Sequence, residues 1–201
     1  MRHIQPTDLS ANDRFYKVAF FNTMSGIRTP FMVGTKGNVA NLGLFNSIVH
    51  IGANPPLLGM VFRPPTVPRH TLENILNNGW YTLNSVTESL IEKAHQTSAK
   101  YDRDASEFEA VGWKPHYEKE IPAPFVEQSP LRMALQFVEK HHITANDTIF
   151  MVGEVKHIWI DEQAIDESGE ILHDVLDTIL VSGLDAYYSR KKISNQPYAR
   201  P

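Results

Sequence analysis

The chain has 201 residues, enough to bury a core without disulfide or metal staples. It contains no cysteine, which excludes disulfides, thiolate metal sites and a cysteine nucleophile together. A formal net charge of −4 and a pI near 6.1 argue against a nucleic-acid binder, whose affinity comes largely from neutralising phosphates.

Residues 1–13 read as an N-terminal extension without the apolar core of a signal peptide, and no apolar run approaches the roughly 20 residues that span a bilayer. These features predict a soluble, cytoplasmic protein with no membrane partner. Residues 14–21 (RFYKVAFF) and 29–35 (TPFMVGT) have the composition of strands, and Lys36-Gly37-Asn38 makes a turn out of the second.

The next segment, residues 37–63, is the most informative. Asn38, Asn41, Asn46 and Ser47 stand among Val39, Ala40, Leu42, Gly43, Leu44 and Phe45 in a run that otherwise reads as strand. Asparagine is depleted in strands because its side chain competes for backbone hydrogen bonds. Such a density of amides suits either an irregular edge strand or a surface with a specific partner, and Gly43 would let a flat ring approach the backbone. A Pro55-Pro56 corner leads into the apolar residues 57–62, ending at Arg63 before the prolines 64, 65 and 68.

Thr71 is positioned to cap a helix through Leu72, Ile75 and Leu76, terminated by Asn77-Asn78-Gly79. Its first N–H groups lack intrahelical partners, so Arg63, Arg69, His70 and Thr71 together form a candidate anion site, the plainer alternative being a capped helix beside exposed arginines. Residues 80–86 return to strand. Thr87 caps a second short helix striped with Leu90, Ile91 and Ala94, and Ser106-Glu107-Phe108-Glu109 spells a capping box for a third.

Residues 131–143 and 148–160 form the strongest strand pair, joined by Thr144-Ala145-Asn146-Asp147 in one extended antiparallel hairpin. Gly153, in mid-strand, predicts a bulge or bend of the sort that closes barrels. Residues 185–201 form a C-terminal arm, aromatic and basic. The resulting expectation is a mainly β, antiparallel barrel with short inserted helices, in a single domain spanning residues 1–201. No helix-based dinucleotide fingerprint, P-loop, zinc-protease or nucleophile-elbow motif is present. His141-His142 cannot readily share an ion, since neighbouring strand residues face opposite ways, and the acidic residues of the loops read as solvated surface.

Gly37-x-x-x-Asn41 through Phe45-Asn46, Pro55-Pro56, Phe62-Arg63, Thr71-x-x-Asn74-Ile75, Glu107-Phe108 and Gly153-Glu154-Val155, followed by an acidic turn and Gly169, resemble the flavin reductase family in order and spacing. The resemblance implies an FMN-binding Greek-key split barrel and a homodimer with FMN near the interface. It places Asn38, Val39, Ala40, Asn41, Leu44, Phe45, Asn46 and Ser47 along the isoalloxazine and ribityl chain. Arg63, Arg69, His70, Thr71 and Asn74 would surround the phosphate. It implies hydride transfer from NAD(P)H to FMN and onward transfer to free flavin or an acceptor protein, with no catalytic side chain. A flavoredoxin-like electron carrier with little NAD(P)H activity is the alternative. A haem-binding relative is a further one, with His50 or His157 as the axial ligand.

Overall fold

A computed structural model describes residues 1–200. After a 3₁₀ turn at Pro6–Leu9 comes helix α1 (Arg14–Thr23), where the sequence predicts a strand. Asp13 decides the matter: its carboxylate accepts from the backbone N–H of Phe15 and Tyr16 at 2.7 and 3.0 Å, satisfying two of the groups every helix start leaves unpaired. No residue of α1 is buried, and Phe15 is 84% exposed, so neither core packing nor strand pairing competes with that cap.

Strands β1 (Phe31–Lys36) and β2 (Ala40–Phe45) form the expected hairpin around the turn at Gly37. The polar segment beyond Gly37 is not one strand. It breaks at Asn46-Ser47 and resumes as β3 (Ile48–Ala53), which pairs with β4 (Pro56–Phe62). Helix α2 (His70–Asn78) ends at Gly79, whose φ of 73° is left-handed and whose N–H closes on Ile75 O, as the sequence predicts. Strand β5 (Trp80–Ser85) follows, then helices α3 (Ile91–Gln96) and α4 (Glu107–Ala110). The long hairpin is β6 (Leu131–Ile143) and β7 (Thr148–Ile160), and β8 (Leu180–Ser182) with β9 (Ala186–Tyr188) makes a separate small sheet.

The seven-stranded antiparallel sheet has the order β2-β1-β5-β6-β7-β4-β3. Its two edge strands are consecutive in the chain, with only Asn46 and Ser47 between them, so the sheet must coil until its edges meet at one corner. Two register shifts between β6 and β7 assist that curvature, one of them beside Gly153, where the sequence predicts a bend. A Cβ at Gly153 would stand 2.0 Å from the Tyr81 hydroxyl, so only glycine lets the sheet wrap this closely around the buried ring.

The barrel interior is filled by Phe31, Val33, Met60, Phe62, Tyr81 and Leu135, and α2 plugs one end with Leu72 and Ile75. On the other face of β1 and β2, Met32, Ala40 and Leu42 pack with Phe108, Val111 and Trp113 as a second layer. Period-2 alternation along β2 therefore puts Leu42 and Leu44 toward the α3–α4 layer, and Asn41, Gly43 and Phe45 toward the interior and α2. The β8–β9 hairpin is tied to the barrel by the Arg28–Val181 backbone pair at 2.7 and 2.9 Å and by Ile179 N donating to Val86 O at 3.1 Å. Arg190 fastens the start of the C-terminal arm to its own chain, donating to Thr29 Oγ1 and Ile179 O.

Candidate functional site

The N-terminal half of α2 lies beside β2 and the β1–β2 turn, and between them runs a polar cleft of about 260 Å³. It is lined from the β side by Gly37, Asn38, Val39 and Asn41, from α2 by His70, Asn74, Asn77 and Asn78, and by Arg103 from the loop before α4. The helix residues are spaced i, i+4, i+7 and i+8, which is one face of an α-helix.

Two buried hydrogen bonds fix the relation between helix and sheet. Asn41 Nδ2 donates to Thr71 Oγ1, and Asn74 Nδ2 donates to Thr35 Oγ1, both at 3.1 Å. A Cβ on Gly37 would sit 2.8 Å from Asn74 Oδ1, so the turn approaches the helix this closely because residue 37 has no side chain. At the far end Asn78 donates to Lys36 O.

The start of α2 differs from the expected cap. Arg69 is the N-cap, with no side-chain cap bond, and Thr71 lies inside the first turn with its hydroxyl committed to Asn41. The first helical N–H with a backbone acceptor is that of Glu73, bonded to Arg69 O at 2.9 Å, while the Glu73 carboxylate returns to Arg69 N at 3.1 Å. The preceding N–H groups, of His70, Thr71 and Leu72, thus have no backbone acceptor at the helix end. Because Thr71 Oγ1 accepts from Asn41, its own proton remains to be donated. Arg69 gives one nitrogen to Pro64 O at 3.1 Å, and its Nε is buried without a hydrogen-bond partner among the described residues. Unspent donors of a positive side chain at a helix N-terminus suit an anion such as a phosphate.

The remaining residues singled out from the sequence are distributed more widely. Ala40 and Leu44 belong to the outer apolar layer, and Phe45 packs edge-on against Phe62 with ring centroids 5.2 Å apart. Asn46 donates to Gly183 O at 2.7 Å and Ser47 to Val61 O at 2.8 Å, so both side chains brace the corner between β2 and β3. Arg63 is exposed beyond β4 and does not line the cleft. Arg103, which the sequence reading misses, enters the site by a salt bridge to Glu73, 30 residues away, and holds that carboxyl below its ordinary range. No local spacing announces such a contact.

The predicted capping box at Ser106 does not form. Ser106 Oγ instead donates to Ala40 O at 2.6 Å, and the Glu107 carboxylate accepts from Leu42 N at 2.9 Å. Burial pushes the Glu107 carboxyl above its ordinary range against the opposing pull of that N–H. Among the histidines, His141 and His142 pair separately with Glu139 and Asp147, both at 3.2 Å. His50 is exposed on β3, and His157 lies between the rings of Trp80 and Trp159, with centroids 6.4 and 5.8 Å away.

Residues 24–191 match the family described as the flavin reductase like domain. A crystal structure from Shewanella frigidimarina, assigned as a flavin reductase with a split barrel domain, is 41% identical and superposes with a TM-score of 0.94 over 99% of this chain and 100% of that one. Nitrilotriacetate monooxygenase component B from Bacillus cereus superposes with a TM-score of 0.85 over 98% of both chains at 18% identity. An FMN-binding protein from Thermus thermophilus, holding 1-cyclohex-2-enone, does so at 0.71 over 87% of this chain and 93% of that one, at 19% identity. The last two likenesses are of fold. The chain belongs to the flavin reductase-like family, and its barrel is the family's split barrel.

Proposed function

We propose that this member of the flavin reductase-like family binds FMN and works as an NAD(P)H-dependent flavin oxidoreductase, with the cofactor phosphate at the start of α2. The observation that carries the reading is the cluster of unspent donors there: the first-turn N–H groups, the Thr71 hydroxyl and the buried, unpartnered Nε of Arg69. The residues present fit the group.

When bound, the flavin supplies a ring that accepts hydride from NAD(P)H and yields electrons to a second acceptor, either free flavin or a protein. The chain's own residues hold and orient it. Arg69, His70 and Thr71 secure the phosphate, and Asn41 keeps Thr71 turned toward it through a buried bond. Asn38, Val39 and Asn74 line the cleft beside them. Toward the barrel corner, the half-buried stretch from Leu44 to Ser47 would carry the ring.

The chain is further read as a homodimer with the ring near the subunit interface. Exposed Val49 and Ile51 on β3, next to the corner that would carry the ring, support it. Light scattering in solution tests that part, and a monomeric mass rejects it.

Anaerobic titration of the purified protein with FMN, followed by NADH and then NADPH, tests the whole. Saturable flavin absorbance that a pyridine nucleotide bleaches is the expected result. Bound flavin that neither nucleotide bleaches would reassign the chain as an electron carrier, and absence of flavin binding would overturn the proposal.

A further inference from the structure

We propose that Glu107 is a positioning residue for the flavin phosphate site, clamping the open edge of β2 so that Asn41 holds Thr71 at the mouth of α2. The inference rests on the phosphate site proposed above.

Strand β2 is an edge of the sheet. In an antiparallel ladder alternate residues turn their N–H and C=O groups to opposite sides, so Ala40 and Leu42 present theirs to the missing neighbour while Asn41 bonds toward β1. Two consecutive side chains of the α4 region stand in for that neighbour: Ser106 Oγ donates to Ala40 O at 2.6 Å and Glu107 Oε2 accepts from Leu42 N at 2.9 Å. These contacts bracket Asn41 on both sides along the chain.

On the opposite face of the same three residues, Asn41 Nδ2 reaches Thr71 Oγ1 at 3.1 Å. The edge clamp and the phosphate-site bond are therefore one peptide apart, and a shift of β2 that broke the first would move the second.

Glu107 is 7% exposed, has no cation within salt-bridge distance among the described residues, and is held against ionisation by its burial. Burying a carboxyl is expensive unless its hydrogen bond matters. The Glu107 side-chain oxygen supplies at this edge the acceptor that a neighbouring strand would otherwise provide to Leu42 N.

The test compares binding of FMN and riboflavin, which differ only in the phosphate, to the wild-type protein and to Glu107→Ala, Glu107→Asp and Glu107→Gln, followed by flavin fluorescence. Glutamine keeps an acceptor at the same reach, whereas aspartate falls one methylene short. The wild type and Glu107→Gln are expected to prefer FMN. In Glu107→Ala and Glu107→Asp the FMN affinity should fall about tenfold with riboflavin affinity unchanged, the scale of losing one hydrogen bond. An unchanged FMN-to-riboflavin ratio in the shortened variants would overturn the role of Glu107 while leaving the phosphate site standing. A wild type that binds both flavins equally would overturn the phosphate site itself, and this role with it. If Glu107→Ala fails to fold, Glu107→Asp and Ser106→Ala carry the same comparison.

Discussion

The two edges of the sheet face opposite fates. Strand β2 has two of its outward backbone groups, Ala40 O and Leu42 N, met by Ser106 and Glu107, its Leu42 fully buried and its Asn41 bonded to α2. Strand β3 joins it through only two residues, yet Val49 and Ile51 are 48% and 43% exposed, and no other strand among the described residues covers its outer side. An unpaired edge is a template for association, and proteins protect it or use it. Here the edge that builds the cleft is locked by side chains, while the edge beyond the corner is left apolar and accessible. The better-held edge is the one beside the proposed phosphate site.

The sharpest way to break that contrast is truncation of one residue on each edge. Leu42→Ala on β2 is expected to destabilise the fold by about 3 kcal/mol, the range for a fully buried leucine, whereas Ile51→Ala on β3 should stay within about 1 kcal/mol for the monomer. Urea unfolding of the two variants measures the difference, and equal losses would mean that β3 is as firmly packed as β2. Next in size, Thr71→Val removes the acceptor of a buried amide and should cost about 1–3 kcal/mol in stability. The same variant should bind FMN more weakly, with isothermal titration as the check; undiminished affinity would detach Thr71 from the phosphate.

The clamp also carries a pH signature. The folded-state pKa of Glu107 is raised, so the folded chain binds this proton more tightly than the unfolded chain. Its contribution is present below the ordinary glutamate range and lost as pH rises through the raised value. His70, whose charge favours the ionised form, moderates the effect. Glu107→Gln should remove that pH dependence and be at least as stable as the wild type above the transition, as measured by thermal unfolding across pH. The smallest expected change is at the cleft mouth. Arg103→Ala breaks an exposed ion pair with Glu73, and stability should shift by no more than about 0.5 kcal/mol. A larger loss would show that Arg103 organises the cleft as well as lining it.

Much of this molecule was legible before its structure, wherever neighbouring residues settle the outcome. The β1–β2 and β6–β7 hairpins follow from turn chemistry between apolar runs, and Gly79 ends α2 by adopting a left-handed φ. Of the residues singled out from the sequence, Asn38, Val39, Asn41, His70 and Asn74 line the cleft, while Asn77 and Asn78 read only as a helix terminator. Helix α1 reads as a strand because its aromatic run has strand composition and the two deciding bonds come from Asp13, just outside it.

What the sequence determined by itself is the local grammar: strands, turns, helix ends, and a concentration of amides around one corner. Tertiary structure alone decided how the hydroxyls and carboxylates were used. Thr71 and Ser106 both have the spacing of caps, yet their side chains bond to residues 30 and 66 positions away, and Glu107 reaches across 65. A cap satisfies one helix N–H that water could also reach, whereas a buried strand edge has no such alternative. Once the barrel coils and excludes water there, the buried amide of Asn41 takes the Thr71 hydroxyl, and the unsatisfied backbone of β2 takes Ser106 and Glu107, away from the helix ends.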